Sequence, residues 1–269
     1  MSEPQTSHLD RILAAKRADL AQHRHERLTD RRIEDALAGL APTRDFAEAL
    51  RAGPGPRVIA EFKRASPSKG PIREGASVTE IVPGYAQAGA AASSILTDAH
   101  FQGSLEDLSR AREVSPIPLL CKDFILERIQ LLDARRAGAD AALLIVAALP
   151  PPTLRQLIEF AHSIDLAVLC EAHDAHEVDR AMSAGAKIVG VNARDLRTFE
   201  VDPELHVKLR SFVPRTSFTY VAESGVSTVD DLKRLRDAEV DAALIGSSLM
   251  SAEDPAGALR ALLDGMAEP

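Results

Sequence analysis

The sequence lacks most of the features that announce a compartment or a cofactor. No stretch approaches the ~20 consecutive apolar residues that a membrane helix needs; the longest such run is Ala141 to Leu149. The start, MSEPQTSHLDR, lacks the basic-then-apolar layout of a signal peptide. A soluble, cytoplasmic protein is therefore expected. Only two cysteines occur, Cys121 and Cys170, both inside apolar runs and without a C-x-x-C spacing or a histidine cluster. Buried free thiols are the expectation, ahead of a disulfide or a metal site. The eight histidines are scattered over tails, helices and loops, so no metal is expected. His173 and His176, close behind Glu171, read as the start of a surface helix. No Gly-rich nucleotide turn follows the first strand-like run, and no Ser-His-Asp arrangement is evident. Positive charge is in deficit: 32 Lys and Arg against 40 Asp and Glu give a net charge of −8. That disfavours nonspecific binding to nucleic acid or an anionic membrane, while leaving room for a local basic pocket.

What the chain does contain is a repeated alternation. Short apolar runs end in polar or Gly residues: VIAEFK from Val58, SSILTD from Ser93, PLLCKD from Pro118, AALLIVA from Ala141, LAVLCEA from Leu166, KIVGVNARD from Lys187, FTYVAESG from Phe218 and AALIGSS from Ala242. Amphipathic stretches of helical period separate them, at 78–89, 105–114, 128–138, 153–164, 176–185, 203–213, 229–239 and 255–266. Three finish in Ala-Gly-Ala, where Gly supplies the left-handed cap. Runs apolar on both faces suit covered parallel strands. Eight strands alternating with eight helices predict an α/β fold, a (β/α)8 TIM barrel, formed as one domain. Its barrel spans 57–269, after an N-terminal helical extension over 1–56 with helices expected at 8–27, 33–40 and 46–50. The extension reads either as a cap on a barrel end or as a lid over the active site.

Barrel active sites lie at the C-terminal strand ends, and six of the eight runs end in polar or small residues there. They supply Glu61 and Lys63, Lys122 and Asp123, Glu171, Asn192 and Arg194, Glu223 and Ser224, and Gly246 and Ser247. Strand side chains alternate, so Glu61 and Lys63 share a face, as do Asn192 and Arg194, with Phe62 turned outward. An ion-pair network merely closing the barrel would be costly in desolvation. Charges gathered from separate strands at the functional end point instead to acid–base chemistry. The turns Ser224-Gly225 and Gly246-Ser247 follow the last two strands, where this fold commonly binds phosphate. Ser66, Ser68 and Lys69 stand in a first loop expected to move and to close over the same anion. Asp98 and His100 form a polar pair without an evident orienting partner.

The motifs AEFKRASPSKG, ILTD…FQGS, LLCKDF, LLIVAAL, CEAH, VGVNARDLRTFEVD, AESG and IGSSLM, in this order and spacing, resemble indole-3-glycerol-phosphate synthase of tryptophan biosynthesis, over about 9–263. The resemblance implies closure of the ring of 1-(2-carboxyphenylamino)-1-deoxyribulose 5-phosphate to indole-3-glycerol phosphate, with release of CO2 and water and no cofactor. It implies Lys122 as general acid, and Lys63 and Glu171 as the acid and base of the later dehydration. Glu61, Asn192, Arg194, Glu223 and Ser224 fall at positions of substrate orientation and charge balance. Ser66, Gly225, Gly246 and Ser247 fall at phosphate contacts, and Phe101 and Phe124 at the apolar wall for the aromatic ring. The implied ligand is a phosphorylated small molecule, bound without nucleic acid or membrane, with a monomer as the default. A lysine-dependent aldolase, a sister isomerase that releases no CO2, and a catalytically silent phosphate-binding barrel stand as rivals.

Overall fold

Strands apolar on both faces need cover on both, and a closed parallel barrel inside a ring of helices provides it. The computed structural model describes residues 8–22, 28–53, 55–66, 70–195 and 198–267. In it the eight apolar runs become β1 (Arg57–Phe62), β2 (Ala92–Leu96), β3 (Leu119–Lys122), β4 (Ala141–Ile145), β5 (Ala167–Ala172), β6 (Ile188–Asn192), β7 (Thr219–Glu223) and β8 (Ala242–Ile245). Each pairs in parallel with its sequence neighbours, and β8 pairs back onto β1 to close the barrel. The register places Glu61 opposite Ser94, Leu96 opposite Lys122, Ile145 opposite Glu171, and Asn192 opposite Glu223. The charged residues thus stand at one level, at the C-terminal rim.

The outer ring is α4 (Val78–Gln87), α5 (Leu105–Val114), α6 (Arg128–Arg136), α7 (Pro151–Ser163), α8 (Ala175–Ser183), α9 (Leu205–Arg210), α10 (Val229–Asp237), the short α11 (Ser247–Ser251) and α12 (Pro255–Ala267). Gly89, Gly138 and Gly185 take positive φ after α4, α6 and α8, as their Ala-Gly-Ala signatures predict. α9 is shorter than the expected 203–213. A turn occupies its start, and Pro214 disfavours helix in the residue before it. The first loop is not wholly irregular: Ala65–Ser66 pairs antiparallel with Gly70–Pro71. Pro67, Ser68 and Lys69, expected to form its mobile tip, lie outside the described residues, as do 23–27 of the expected first helix.

The N-terminal extension holds α1 (His8–Gln22), α2 (Asp30–Leu37) and α3 (Phe46–Arg51). Thr29 and Asp45 start α2 and α3 by accepting the Arg32 and Glu48 backbone N–H groups. The extension divides between the two ends of the barrel. α3 closes the base of the barrel: Arg51 Nε donates to Thr219 Oγ1 at the start of β7, at 2.7 Å. α1 lies at the opposite end. Its Lys16 Nζ sits 2.9 Å from Asp98 and 2.5 Å from Asp123, in the loops after β2 and β3. Ile12 of α1 packs there with Ala65 and Phe101.

Candidate active site

Six strand ends bring the predicted polar residues to one rim, and the structure sorts them into two linked groups. Glu61 and Lys63 share the inner side of β1, with Lys63 Nζ 2.6 Å from Glu61 Oε1 and Ser94 Oγ 3.5 Å from Glu61 Oε2. Phe62, between them, is buried on the other side with the Arg64 guanidinium 5.1 Å over its ring. Across the barrel, Lys122 Nζ stands between two carboxylates, 3.1 Å from Glu171 Oε2 and 3.2 Å from Glu223 Oε2. Asn192 bonds to Glu171 and accepts the Arg194 backbone N–H at 3.0 Å. The Arg194 guanidinium turns to the Phe199 carbonyl, 3.0 Å away.

The two carboxylates on Lys122 have different surroundings. Glu171 and Glu223 are both buried, and burial alone raises a carboxyl pKa. For Glu171 that effect is overcome by the Lys122 charge, by His173 and by the Asn192 hydrogen bond, which together hold it well below the usual range. For Glu223 burial wins: the Lys122 charge does not overcome it, and the neighbouring Glu171 and Glu61 charges add to the rise. Its Oε1 meets no donor among the described residues. Lys122 loses by burial and gains more from Glu223, Glu171 and Glu61, so its pKa is raised and it stays an ammonium. Carboxyls pushed apart in this way mark acid and base roles.

Glycine makes this density possible. A Cβ on Gly190 of β6 would collide with Glu223 Oε1. One on Gly246 would collide with the Glu61 carboxylate and stand 3.0 Å from Lys63 Nζ. The last two turns are shaped for close approach: Ser224 and Gly225 both take left-handed φ, 63° and 74°, and Ser247 opens α11 just after Gly246. Ser66 is buried in the first-loop hairpin. Phe101 and Phe124 meet with ring centroids 6.4 Å apart, forming an apolar wall with Ile12 and Ala65.

Sequence reasoning missed two parts. His173 is not an exposed helix start: its side chain is mostly buried, between Glu171 and Glu177. The signal was there, since residues two apart share a strand face, so Glu171-x-His173 repeats Glu61-x-Lys63. His176 is exposed, as expected. The orienting partner of Asp98 and His100 was also missed. Asp98 Oδ1 takes the His100 ring at 2.9 Å, and its other oxygen takes Lys16 from α1, a partner too distant in sequence to pair by pattern. His8 of the same helix contacts the Phe199 ring across the rim, centroids 5.1 Å apart.

Among the described residues no group of three or more His, Cys, Asp and Glu could hold a metal ion, and no helix is long and apolar enough to cross a membrane. Cys121 and Cys170 are buried free thiols whose pKa burial pushes up to about 12. Buried acids and ammoniums on the C-terminal rim of a (β/α)8 barrel define an enzyme of the proton-transfer class. The family model for indole-3-glycerol phosphate synthase matches residues 9–262. The chain belongs to the indole-3-glycerol phosphate synthase family, the carboxy-lyases of tryptophan biosynthesis. An indole-3-glycerol phosphate synthase of Koribacter versatilis is 47% identical over 261 residues, covering 96% of this chain and 99% of its own. One of a Polaromonas species is 45% identical over 258 residues, covering 94% and 97%. Among solved structures, a thiamine phosphate pyrophosphorylase of Pyrococcus furiosus aligns with a TM-score of 0.61 at 18% identity, covering 83% of this chain and 98% of its own. That likeness concerns the fold alone.

Proposed function

We propose that the rim performs the family's ring closure with Lys122 as general acid, Lys63 as second acid and Glu171 as base. The observation that carries this is the single ammonium shared by two buried carboxyls of opposite tendency. Bond formation to the ketose carbon puts negative charge on its oxygen, and Lys122 gives that oxygen a proton. Loss of CO2 restores the aromatic ring. The hydroxyl then leaves as water with a proton from Lys63, while Glu171 removes the ring proton to form the new double bond. The order follows from charge. While Lys122 is an ammonium Glu171 is a weak base; once Lys122 has given up its proton, Glu171 loses its largest counter-charge and its basicity rises.

In this reading Glu61 holds Lys63, Asn192 orients Glu171, and Glu223 balances Lys122. The turns at Ser224-Gly225 and Gly246-Ser247, with Ser66, face the phosphate. Arg194 belongs to the substrate carboxylate or phosphate, and Phe101 and Phe124 flank the aromatic ring. Each proton step has a side chain at hand, so the reading calls on no cofactor, and it places the enzyme in the cytoplasm as a monomer acting on a phosphorylated small molecule.

The test is indole absorbance and fluorescence appearing from the carboxyphenylamino substrate without added metal or nucleotide, in the wild type and in Lys122→Ala. A general acid contributes ~10²–10⁴-fold, so the variant should lose that much kcat while still binding substrate. A variant keeping more than half its kcat would remove Lys122 from the role and pass it to Lys63. An imine trapped by borohydride would favour an aldolase instead.

A further inference from the structure

Glu171 touches Lys122 with one oxygen, and its other oxygen faces a histidine that this reaction scheme does not use. His173 Nε2 lies 3.4 Å from Glu171 Oε1, an ion-pair distance whose geometry stops short of a hydrogen bond. The ring's far side is fixed: Nδ1 is 3.1 Å from Glu177 Oε2, and the same oxygen accepts the His173 backbone N–H at 2.9 Å. Helix capping alone does not require this arrangement. Asp174 already caps α8 by accepting the Glu177 N–H at 2.8 Å, which leaves the Glu177 carboxylate free to clamp the residue before the cap. The result is a ring held from the helix side and aimed at the carboxylate on the strand.

The charges around the ring are unequal. Glu171 from β5 and Glu177 from α8 face it directly. Lys122 from β3 stands on the other oxygen of Glu171, and Glu223 from β7 lies beyond Lys122. The end of β4 and the turn after it, Ile145 to Ala148, carry no charge. Arg194 from β6 is turned onto the Phe199 carbonyl, and Arg180 of α8 onto the Leu149 carbonyl. Burial opposes charging the ring, but its close contacts with the Glu171 and Glu177 carboxylates outweigh it and push its pKa up to about 10.

A cation at this place solves a problem the Lys122–Glu171 pair creates. Glu171 is buried, Lys122 is mostly so, and the two groups are 3.1 Å apart. In a low-dielectric site such a pair can neutralise itself by passing the proton directly from ammonium to carboxylate. That transfer would consume the acid and the base together, before substrate used either. We propose that His173 is a positioning residue for Glu171, an imidazolium clamped by Glu177 that keeps the carboxylate ionised and oriented before and after Lys122 releases its proton. The inference rests on the reading of Glu171 as the base.

His173→Gln tests it, because Gln fills similar space and can hydrogen-bond but carries no charge. Steady-state kinetics should show kcat lower by about tenfold or more, with KM little changed because His173 does not contact substrate in this reading. The acidic limb of the kcat/KM profile should move up by about one pH unit, as a carboxylate losing a cation requires. Glu177→Gln should shift the limb in the same direction by less. An unmoved limb with wild-type kcat, or a loss wholly in KM, would overturn the inference while Glu171→Gln still abolished turnover. Full turnover in Glu171→Gln would overturn the underlying reading and the inference with it. If the His173 variant does not fold, nitrogen-detected NMR of the wild-type ring near neutral pH decides. A doubly protonated ring supports the role, and a neutral one overturns it.

Discussion

The two ends of this barrel use buried charge in opposite ways. At the base, Asp140 precedes β4 with every oxygen occupied. Its Oδ1 takes the Arg44 backbone N–H at 2.7 Å and the Arg112 guanidinium at 2.8 Å, and its Oδ2 takes the Leu119 N–H at 2.8 Å. Arg112 and Arg135 continue to the Pro42 and Ala41 carbonyls, tying the extension down. Asp241, before β8, likewise takes the Tyr220 N–H at 2.7 Å. At the rim, three carboxyls crowd two ammoniums, Glu223 Oε1 has no donor among the described residues, and the Glu171 and Glu61 charges raise the Glu223 carboxyl. Satisfied carboxylates at the base fasten strands and extension together. At the rim the Glu223 oxygen without a donor among the described residues leaves a polar atom open, which the proposed scheme uses for substrate and proton transfer.

Exchanging damage between the two ends should break the comparison if it is wrong. Asp140→Ala takes the carboxylate from the Arg112 guanidinium and leaves the Arg44 and Leu119 N–H groups without their acceptor, so denaturant unfolding should show a loss of about 3 kcal/mol. Activity per folded molecule should hold. A stable variant with impaired turnover would erase the distinction. Gly190→Ala should do the reverse. Its Cβ would meet Glu223 Oε1 and push that carboxyl off Lys122, lowering kcat by about tenfold with a smaller effect on the unfolding midpoint. Unchanged kcat in that variant would mean the placing of Glu223 on Lys122 is immaterial.

The difference between the ends also explains what could be read from the chain. Strands, caps and rim residues follow local rules: apolar runs, Ala-Gly-Ala stops, and alternation that puts Glu61 with Lys63. His173 obeyed the same alternation, but Asp174 and Glu177 spell a helix start, and that local signal masked the longer one. Gly190 reads as an ordinary small residue until the Glu223 side chain is seen lying over it. The latch from Lys16 to Asp98 and Asp123 was beyond the sequence for another reason. Opposite charges are common, and only the packing of Ile12 against Phe101 selects this set. The lid-or-cap choice could not be made from pattern, because α1 and α3 are both amphipathic and go to opposite ends.

The central claim is that rim charges serve reactivity and cost stability, and the unfolding free energy of Glu223→Gln at about pH 8 tests it most directly. The carboxyl of Glu223 has its folded pKa raised above the unfolded value, by burial first and then by Glu171 and Glu61. As pH rises between those values the unfolded chain binds fewer protons than the folded one, so stability falls, and above both values the full cost is present. Gln removes that charge while leaving an oxygen for Lys122. The variant should therefore be as stable as the wild type or more stable, even as its kcat falls. A Glu223→Gln protein that is less stable at that pH yet turns over at the wild-type rate would contradict the account.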